Sequence, residues 1–569
     1  MLAGRTIMAL LAVLLQMLAG GSPQAAPDSV AVLRSARRAQ AAFEATRRFS
    51  LPELPSGSTG GRSEIIGRIR LWFESDGDEE RVLPEPPRIR SARARLLTTL
   101  QQASATLPGD EWIAGQQVRY LMEDSQPQQA ARVAAQCRAV RWWCDALTGL
   151  VRHVTADYAG ADSAFTAALA EMPDEERCHW NDISTLLEGE PAERYRTLDC
   201  ADRAAFETRW WWLAQPLYSL AANDRRTEHF ARVVRARMEE GRRTPHGMLW
   251  GDDLREVLMR YGWSTWWTRD ESAYPLVQSD PNVTGHGPSG AVQFAPSAHA
   301  LADPTAATPG DWSLDPPKAR EQYAPAYAAK FTYLEHQEAL FRRGDSCLVV
   351  AAPDLSADTL FAGRAVRVAL ALAADEHASV IARDSGVATA PRAVVAAAPC
   401  QPYLLSLEAD APHERHVARA RYGVTLKRRT LVHPAISDLL LFDPPDSLPA
   451  TLDAVLPYAY GSTRVPADRK LGVFWEVYGV DPAGGAVAVS LALARQGTGF
   501  LRRMLGLAGR RHDVRLEWQD VPQDSSVAPR ALAIDLAGLA PGRYQIEVDI
   551  TPPGGTTLAA RREIRIERP

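Results

Sequence analysis

The sequence predicts a multidomain α and β protein: an all-α helical-repeat region first, β-sandwich domains after it. Three observations predict this. Apolar residues recur at helical spacing through the first half of the chain. The period changes to short alternating runs after residue 345. Six cysteines on a chain that opens with an apolar leader point to an oxidising compartment.

The leader is Met1–Ala26. Arg5 precedes the apolar run Ile7–Leu15, and small or turn-forming residues follow from Gly20 to Pro27. That is the order of a secretory signal peptide, with cleavage expected at Ala25 or Ala26. No Cys follows the run, so a lipid anchor is not expected. An uncleaved anchor helix is the alternative, but the run is short for a membrane span. The mature chain is therefore expected in the periplasm or outside the cell.

The formal net charge of −5 over 569 residues gives no electrostatic case for nucleic acid. Of 64 cations only Lys318, Lys330, Lys427 and Lys470 are lysine. With abundant Ala, that skew matches a genomic base-composition bias, so Arg clusters alone are not read as phosphate sites.

Residues 27–107 read as an N-terminal helical and irregular segment. Val32, Ala36, Ala39 and Phe43 share one helical stripe, and Leu51–Arg62 reads as a loop. Ile65–Phe73 is strand or helix. Pro84, Pro86 and Pro87 precede a helix at Ile89–Ser104. Residues 108–272 read as the helical-repeat domain. Asp110 would cap its first helix, and Gln126–Ala139 supplies the next. Trp142–Val154 and Ala159–Glu171 form the clearest pair. Gly149 lets a partner helix approach, Ala161, Phe165 and Ala168 share one face, and Pro173 stops the helix. These spacings are tetratricopeptide-like, and a looser version recurs at Trp210, Leu213, Ala214, Leu217 and Phe230, which suggests a small solenoid. A non-repeat helical bundle is the alternative.

Residues 273–322 are rich in Pro and Gly and read as an irregular linker. A short helix is expected at Ala326–Phe341. Residues 323–460 then read as a first β-sandwich-like domain, with strands at Cys347–Ala351, Ala365–Leu372, Ser379–Ala382, Ala393–Ala397, Tyr403–Leu407 and Val417–Val424. Residues 461–569 read as a second, Ig-like sandwich with strands from Val473–Tyr478 to Arg562–Ile566. Gly497–Arg511 reads as a short helical excursion.

Cys137, Cys144, Cys178, Cys200, Cys347 and Cys400 allow 15 pairings, of which the local set 137–144, 178–200 and 347–400 is simplest. Seven residues of straight helix rise by about 10 Å, beyond the roughly 7 Å Cα limit for a disulfide. A 137–144 bridge therefore requires the chain to turn between them. Buried free thiols are the alternative; zinc is disfavoured because no C-x2-C pair exists.

Asp253–Ser264 (DLREVLMRYGWS) resembles the segment of GWxTD-domain proteins that leads into an arginine-tyrosine-glycine turn. Val473–Gly479 (VFWEVYG) resembles the strand opening their C-terminal β domain, and Ile436–Leu441 a strand just before it. Trp266 stands where the name motif has Asp, and Gly262-Trp263 follows the Tyr-Gly turn instead of preceding it. The likeness covers about half the chain. It implies an exported bacterial protein of α-plus-β architecture and carries over no catalytic residues.

No phosphate loop, H-E-x-x-H or G-x-S-x-G occurs. Gly285–Gly290 spells G-x-G-x-x-G inside the Pro-rich segment, without the strand and helix such a loop needs. His413 and His416 read as a solvated loop over a metal site. Asp252 and Asp253 read as helix-capping acids, with an acid pair as the alternative. Glu476 in an apolar strand would need a partner such as Arg, or its pKa would rise; Asp438 poses the same question. Arg343-Gly344-Asp345 reads as a turn. No cofactor or metal is expected.

Neighbouring helical residues point about 100° apart, so tandem tryptophans cannot all bury on one face. Trp142, Trp143, Trp210, Trp211, Trp266 and Trp267 are thus candidates to line a groove for peptide or sugar. Helix–helix core on two sides is the alternative. The leading expectation is an exported, non-enzymatic binding or scaffold protein with a protein or peptide partner and no nucleic acid. An envelope hydrolase using Asp252, Asp253 or Glu476 is one alternative. A structural envelope component, peripherally associated through Phe500–Leu505, is another.

Overall fold

The computed structural model describes residues 29–54, 62–73, 82–270, 281–288, 290–316, 318–356, 358–378, 380–388, 393–426, 434–480, 485–496, 514–521 and 527–568. The expected leader Met1–Ala26 and the Phe500–Leu505 excursion lie outside the described residues.

Helices occupy most of residues 29–261. α1 (Ser29–Ser50) packs on α2 (Pro87–Thr106), which starts at a proline whose missing N–H costs nothing there. α3 (Glu111–Glu123) is capped by Asp110, whose side chain accepts from the Ile113 amide at 2.9 Å. α4 (Pro127–Ala135) ends before Cys137, and α5 (Arg141–Val154) starts before Cys144. The chain turns between them, and the Cys137–Cys144 disulfide closes the turn with Cα atoms 5.6 Å apart. α5 packs along α6 (Tyr158–Glu171). The reason is Gly149: a Cβ there would sit 2.6 Å from the ring of Phe165, which is fully buried. Pro173 stands at the N-cap of α7 (Asp174–Asn181). α8 (Gly189–Thr197), α9 (Cys200–Ala214), α10 (Asp224–Glu239) and α11 (Asp252–Tyr261) complete the region, with Cys178 bonded to Cys200.

The stretch left open between strand and helix is an antiparallel hairpin of β2 (Arg62–Ile66) and β3 (Ile69–Phe73). A small sheet joins β1 (Glu53–Leu54), β4 (Trp266–Asp270) and β5 (Val283–His286). The segment expected as a linker is packed from Phe294 onward. Phe294, Trp312, Leu314 and Tyr323 are all under 5% exposed, and 3-10 turns set them against neighbouring elements. Proline and glycine interrupt any period there, which hides buried anchors from a periodicity argument. The helix expected over Ala326–Phe341 is instead two strands, β6 (Lys330–Tyr333) and β7 (His336–Arg343). In β7 the side chains of Gln337, Ala339 and Phe341 alternate inward, the period of a strand.

The following strands form two facing pairs of sheets. In the first pair, order β10-β9-β12-β13-β6 faces β11-β8-β7: β8 (Ser346–Pro353), β9 (Val366–Ala373), β10 (Ile381–Ala388), β11 (Val394–Pro399), β12 (Pro402–Ala411) and β13 (His416–Thr425). Val349, Leu370, Leu405 and Leu407 share its core, and Cys347–Cys400 ties β8 to the end of β11. In the second pair, β14 (Ala435–Ile436), β15 (Leu440–Phe442) and β20 (Val527–Asp535) flank β17 (Lys470–Tyr478). They face the order β16-β22-β21-β18-β19, made of β16 (Arg464–Pro466), β18 (Val487–Arg495), β19 (Val514–Asp520), β21 (Gly542–Thr551) and β22 (Leu558–Glu567). The second unit thus takes strands from before residue 460: β14 and β15 pair with β17. The boundary by hydrogen bonding falls between β13 and β14.

The layers are joined by buried contacts. Trp210, Trp212 and Leu213 of α9 share a core with Ala371, Ala373 and Leu404 on the outer face of the five-stranded sheet. At that seam β13 supplies two buried arginines to carbonyls at the end of α9 and just beyond it. Arg421 donates to Leu213 O at 3.1 Å and Gln215 O at 2.6 Å, and Arg419 donates to Pro216 O at 2.7 Å. Glu408 of β12 accepts from the amides of Tyr218 and Ser219 at 2.7 and 3.0 Å. Phe341, Val350, Leu440 and Phe474 join the two β units in the same way.

Two outcomes are expected. Gly149→Val should cost about 1–3 kcal/mol or more, because Phe165 has no room to yield; urea unfolding measures it. Arg421→Met should cost about 3–5 kcal/mol by leaving buried Glu408 without the guanidinium 3.8 Å from it. It should also split the unfolding of the helical and β parts into separate transitions by circular dichroism.

Candidate functional site

The inner surface expected to receive a partner is occupied by the chain itself. α10 lies across α3, α5 and α6 and does not stack as a further hairpin. Fourteen of its 16 residues are buried. Phe230, Val234 and Met238 enter the core of Val118, Leu147 and Phe165, with the Phe165 and Phe230 rings 5.5 Å apart. The looser spacing at Trp210–Phe230 therefore spans two helices with different roles.

α10 is nonetheless strongly charged, and each of its arginines meets an acid of the chain. Arg225 pairs with Glu321 at 2.9 Å, both fully buried. Glu228 accepts from Arg232 at 2.6 Å and faces His153 at 2.7 Å. Burial works to raise Glu228, but Arg232 and His153 outweigh it and bring the carboxyl down to about 2. His229 sits 3.0 Å from Trp180 O, and burial lowers it to about 3, so the ring is neutral. Arg235 and Arg119 reach Glu123 at 3.3 and 3.1 Å, Arg47 reaches it at 2.5 Å, and Arg119 also reaches Glu239 at 2.8 Å. Glu123 is held below its ordinary value: burial opposes this, and Arg47 and Arg119 prevail.

The candidate tryptophans fall on both sides of this interior. Trp143, Trp210 and Trp211 are 2, 1 and 4% exposed. Their rings are committed to the core, which corrects their assignment to a ligand groove. Trp142 is half-buried, edge-on to Trp180 at 5.8 Å and beneath Arg237 at 4.8 Å. Trp266 and Trp267 lie on β4 and not on a helix. Trp266 stacks on His286 at 3.8 Å, and Trp267 lies under Arg47 at 4.8 Å. Alternation along a strand, not helical offset, sends these two rings to opposite sides.

The candidate acids do not converge. Asp253 is held by Arg68 of the β2–β3 turn at 2.6 Å, and the Arg68 hydrogen bond lowers its pKa. Asp253 also accepts from the Leu254 amide at 2.9 Å, although Gly251 is the N-cap residue of α11. Glu476, 1% exposed, meets the arginine its burial demands. Arg343 grips it with two bonds at 2.6 and 2.9 Å, and Tyr478 donates at 2.8 Å. Asp438 accepts from the Leu340 amide at 3.0 Å and its own amide donates to Leu340 O at 3.1 Å, so it splices β7 to the second unit. His416 is buried with Asp358 at 2.8 Å. All six cysteines are bonded, so no thiol nucleophile is available.

Two groups escaped the sequence argument. The Arg419–Arg421 seam had one signal: two arginines, two apart, in an otherwise apolar strand. Burial and neighbouring Arg421 bring Arg419 down to about 9. Glu207 had none, because its partner comes from another helix. Tyr195 donates to it at 2.6 Å, and burial raises the carboxyl to about 7.

No protein-family model and no curated protein matches this chain. A crystal structure of red sea bream transglutaminase matches over 41% of this chain and 32% of that one, at 10% identity and a TM-score of 0.14. This chain therefore spans about a third of that protein's length, and the likeness is too slight to carry fold or function.

A pH dependence follows from Glu207. Its folded pKa of about 7 lies above its ordinary value of 4.5. The stability it contributes is full below pH 4.5 and is lost as pH rises through about 7. Asp224, raised by burial to about 6, acts in the same direction. Glu207→Gln should flatten the fall in unfolding free energy over that window while leaving the Asp224 part, as measured by urea titrations across pH.

Proposed function

We propose that this is an exported, non-enzymatic scaffold or docking protein whose outer surface, not an inner groove, meets its partner. The observation that carries this reading is α10, a charged helix that fills the space between the hairpins and satisfies its ions there. The rest supports it. Of the acids singled out from the sequence, Asp253 and Glu476 are held in arginine pairs and Asp438 in a backbone bond. Three disulfides suit an oxidising environment, and no helix among the described residues is long and apolar enough to cross a membrane. We read the paired helices as tetratricopeptide-like and the second β unit as Ig-like. The signal peptide and the GWxTD-like segments belong to the same reading, which makes the partner a protein or peptide of the cell envelope.

Photocrosslinkers placed at exposed positions of α4 and α6 should capture a discrete envelope protein, whereas positions on α10 should not. No adduct at any outer position would count against the reading. So would turnover of peptide or glycan by the pure chain that Glu207→Gln or Glu476→Gln abolishes.

A further inference from the structure

We propose that the α1–α2 hairpin is a peripheral membrane-docking face that takes anionic phosphate-bearing lipid headgroups. Together the two helices carry nine arginines and one acid, Glu44, in a chain of net charge −5. Composition bias explains why the cations are arginine but not why their counter-charges are missing. On α10, by contrast, all five arginines pair with acids. Here Arg34, Arg37, Arg38, Arg88 and Arg95 are exposed and make no ion pair among the described residues. The acid Glu44 is 1% exposed and faces inward, toward Tyr120 and Arg119. The solvent side of the hairpin is thus cationic only.

A second observation comes from α3. Half-buried Trp112 lies between two guanidinium groups, Arg37 at 5.6 Å and Arg242 at 4.6 Å from its ring. Neither arginine has an acid within salt-bridge distance among the described residues. The repulsion between them is relieved if an anion approaches. Burial, with Arg37 and Arg119 adding to it, lowers Arg242 to about 10, consistent with that crowding.

A lipid surface fits better than an acidic peptide because of what lies between the arginines. The exposed residues of α1 are otherwise alanine and serine, with Val30 at 57% and Phe49 at 52% exposure at its two ends. Exposed arginines with no exposed acid among them and a solvent-facing Phe49 suit an anionic membrane surface. Nothing bulky holds headgroups away from the guanidinium groups. Each Lys or Arg near an anionic surface contributes about 1 kcal/mol, or roughly fivefold in binding, and the effect fades within a Debye length.

The test is flotation of the full chain with vesicles of equal parts phosphatidylglycerol and phosphatidylcholine, compared with pure phosphatidylcholine, at low and high salt. Binding is expected to require phosphatidylglycerol and to fall with salt. Arg34→Gln/Arg37→Gln/Arg38→Gln should weaken it about a hundredfold, while the exposed pair Arg194→Gln/Arg196→Gln on α8 should leave it unchanged. Circular dichroism confirms that each variant is folded. Salt-independent binding to both vesicle types would assign the attachment to the apolar run Ile7–Leu15 and overturn the proposal. Displacement by soluble polyglutamate at matched charge would assign the face to an acidic protein and overturn it too. So would binding that emerges only after Glu74, Asp76, Asp78, Glu79 and Glu80 are neutralised, since the chain would then be covering its own face. The reading of the whole protein as a non-enzymatic scaffold stands or falls on the crosslinking and turnover experiments, independently of these vesicles.

Discussion

The fold depends on guanidinium groups buried against backbone carbonyls at the seam between helices and sheet. A helix end leaves carbonyls unsatisfied, and a seam that buries that end must supply donors. Beyond α9 the chain runs through Gln215 and Pro216, and proline cannot continue the hydrogen-bond pattern. Arg419 and Arg421 provide several donors in a fixed plane, enough for the carbonyls of Leu213, Gln215 and Pro216, and Arg421 also stacks on Tyr218 at 3.9 Å. A lysine, with one compact ammonium, could not span the same set. Glu408 then takes the two amides that follow, so one polar patch on the sheet satisfies both sides of the turn.

The same chemistry explains how α10 can be both highly charged and central. A buried ion costs several kcal/mol unless its partner and remaining donors are well placed. Glu123 receives Arg47, Arg119 and Arg235 from three helices, and Arg232 spreads its donors over Glu228 and the carbonyls of Met259 and Arg260. Such a network contributes less to stability than an apolar core of equal volume would. What it fixes is register: shifting α10 by one residue would strand each of these charges at once. The helix is therefore a keyed part of the array, and a partner could displace it only by leaving those ions unpaired.

Local pattern made much of this legible. The Asp110 cap, Gly149 against Phe165, the turn required between Cys137 and Cys144, and most strands follow from spacing alone, as do the three bridges once proximity in sequence is preferred. The demand of Glu476 for an arginine was legible as well, although not that Arg343 would answer it. What sequence did not reveal depends on long-range partners or on interrupted periods. Phe294 and Trp312 are core residues within a Pro- and Gly-rich stretch, and β6–β7 has a short alternation that also fits a helix. α10 carries the polarity of a surface helix, and only the tertiary arrangement shows where its charges go. The tandem tryptophans failed as site markers for a related reason: a ring needs a second element beside it, and Trp143, Trp210 and Trp211 each have one.

Glu207 and Glu476 show why a perturbed or buried acid is not by itself a reaction centre. Glu207 is held neutral to about pH 7, the state a general acid requires, but its proton-bearing group faces Tyr195, which in turn accepts from the Ile183 amide. A substrate atom reaching this carboxyl would have to displace the Tyr195 hydroxyl that ties α8 to α9. Glu476 is the opposite case, an acid whose two oxygens are both bonded by Arg343, with Tyr478 on one of them. To act as a base it would have to leave the bidentate pair that splices the two β units. In both places the geometry spends the carboxyl on holding elements together.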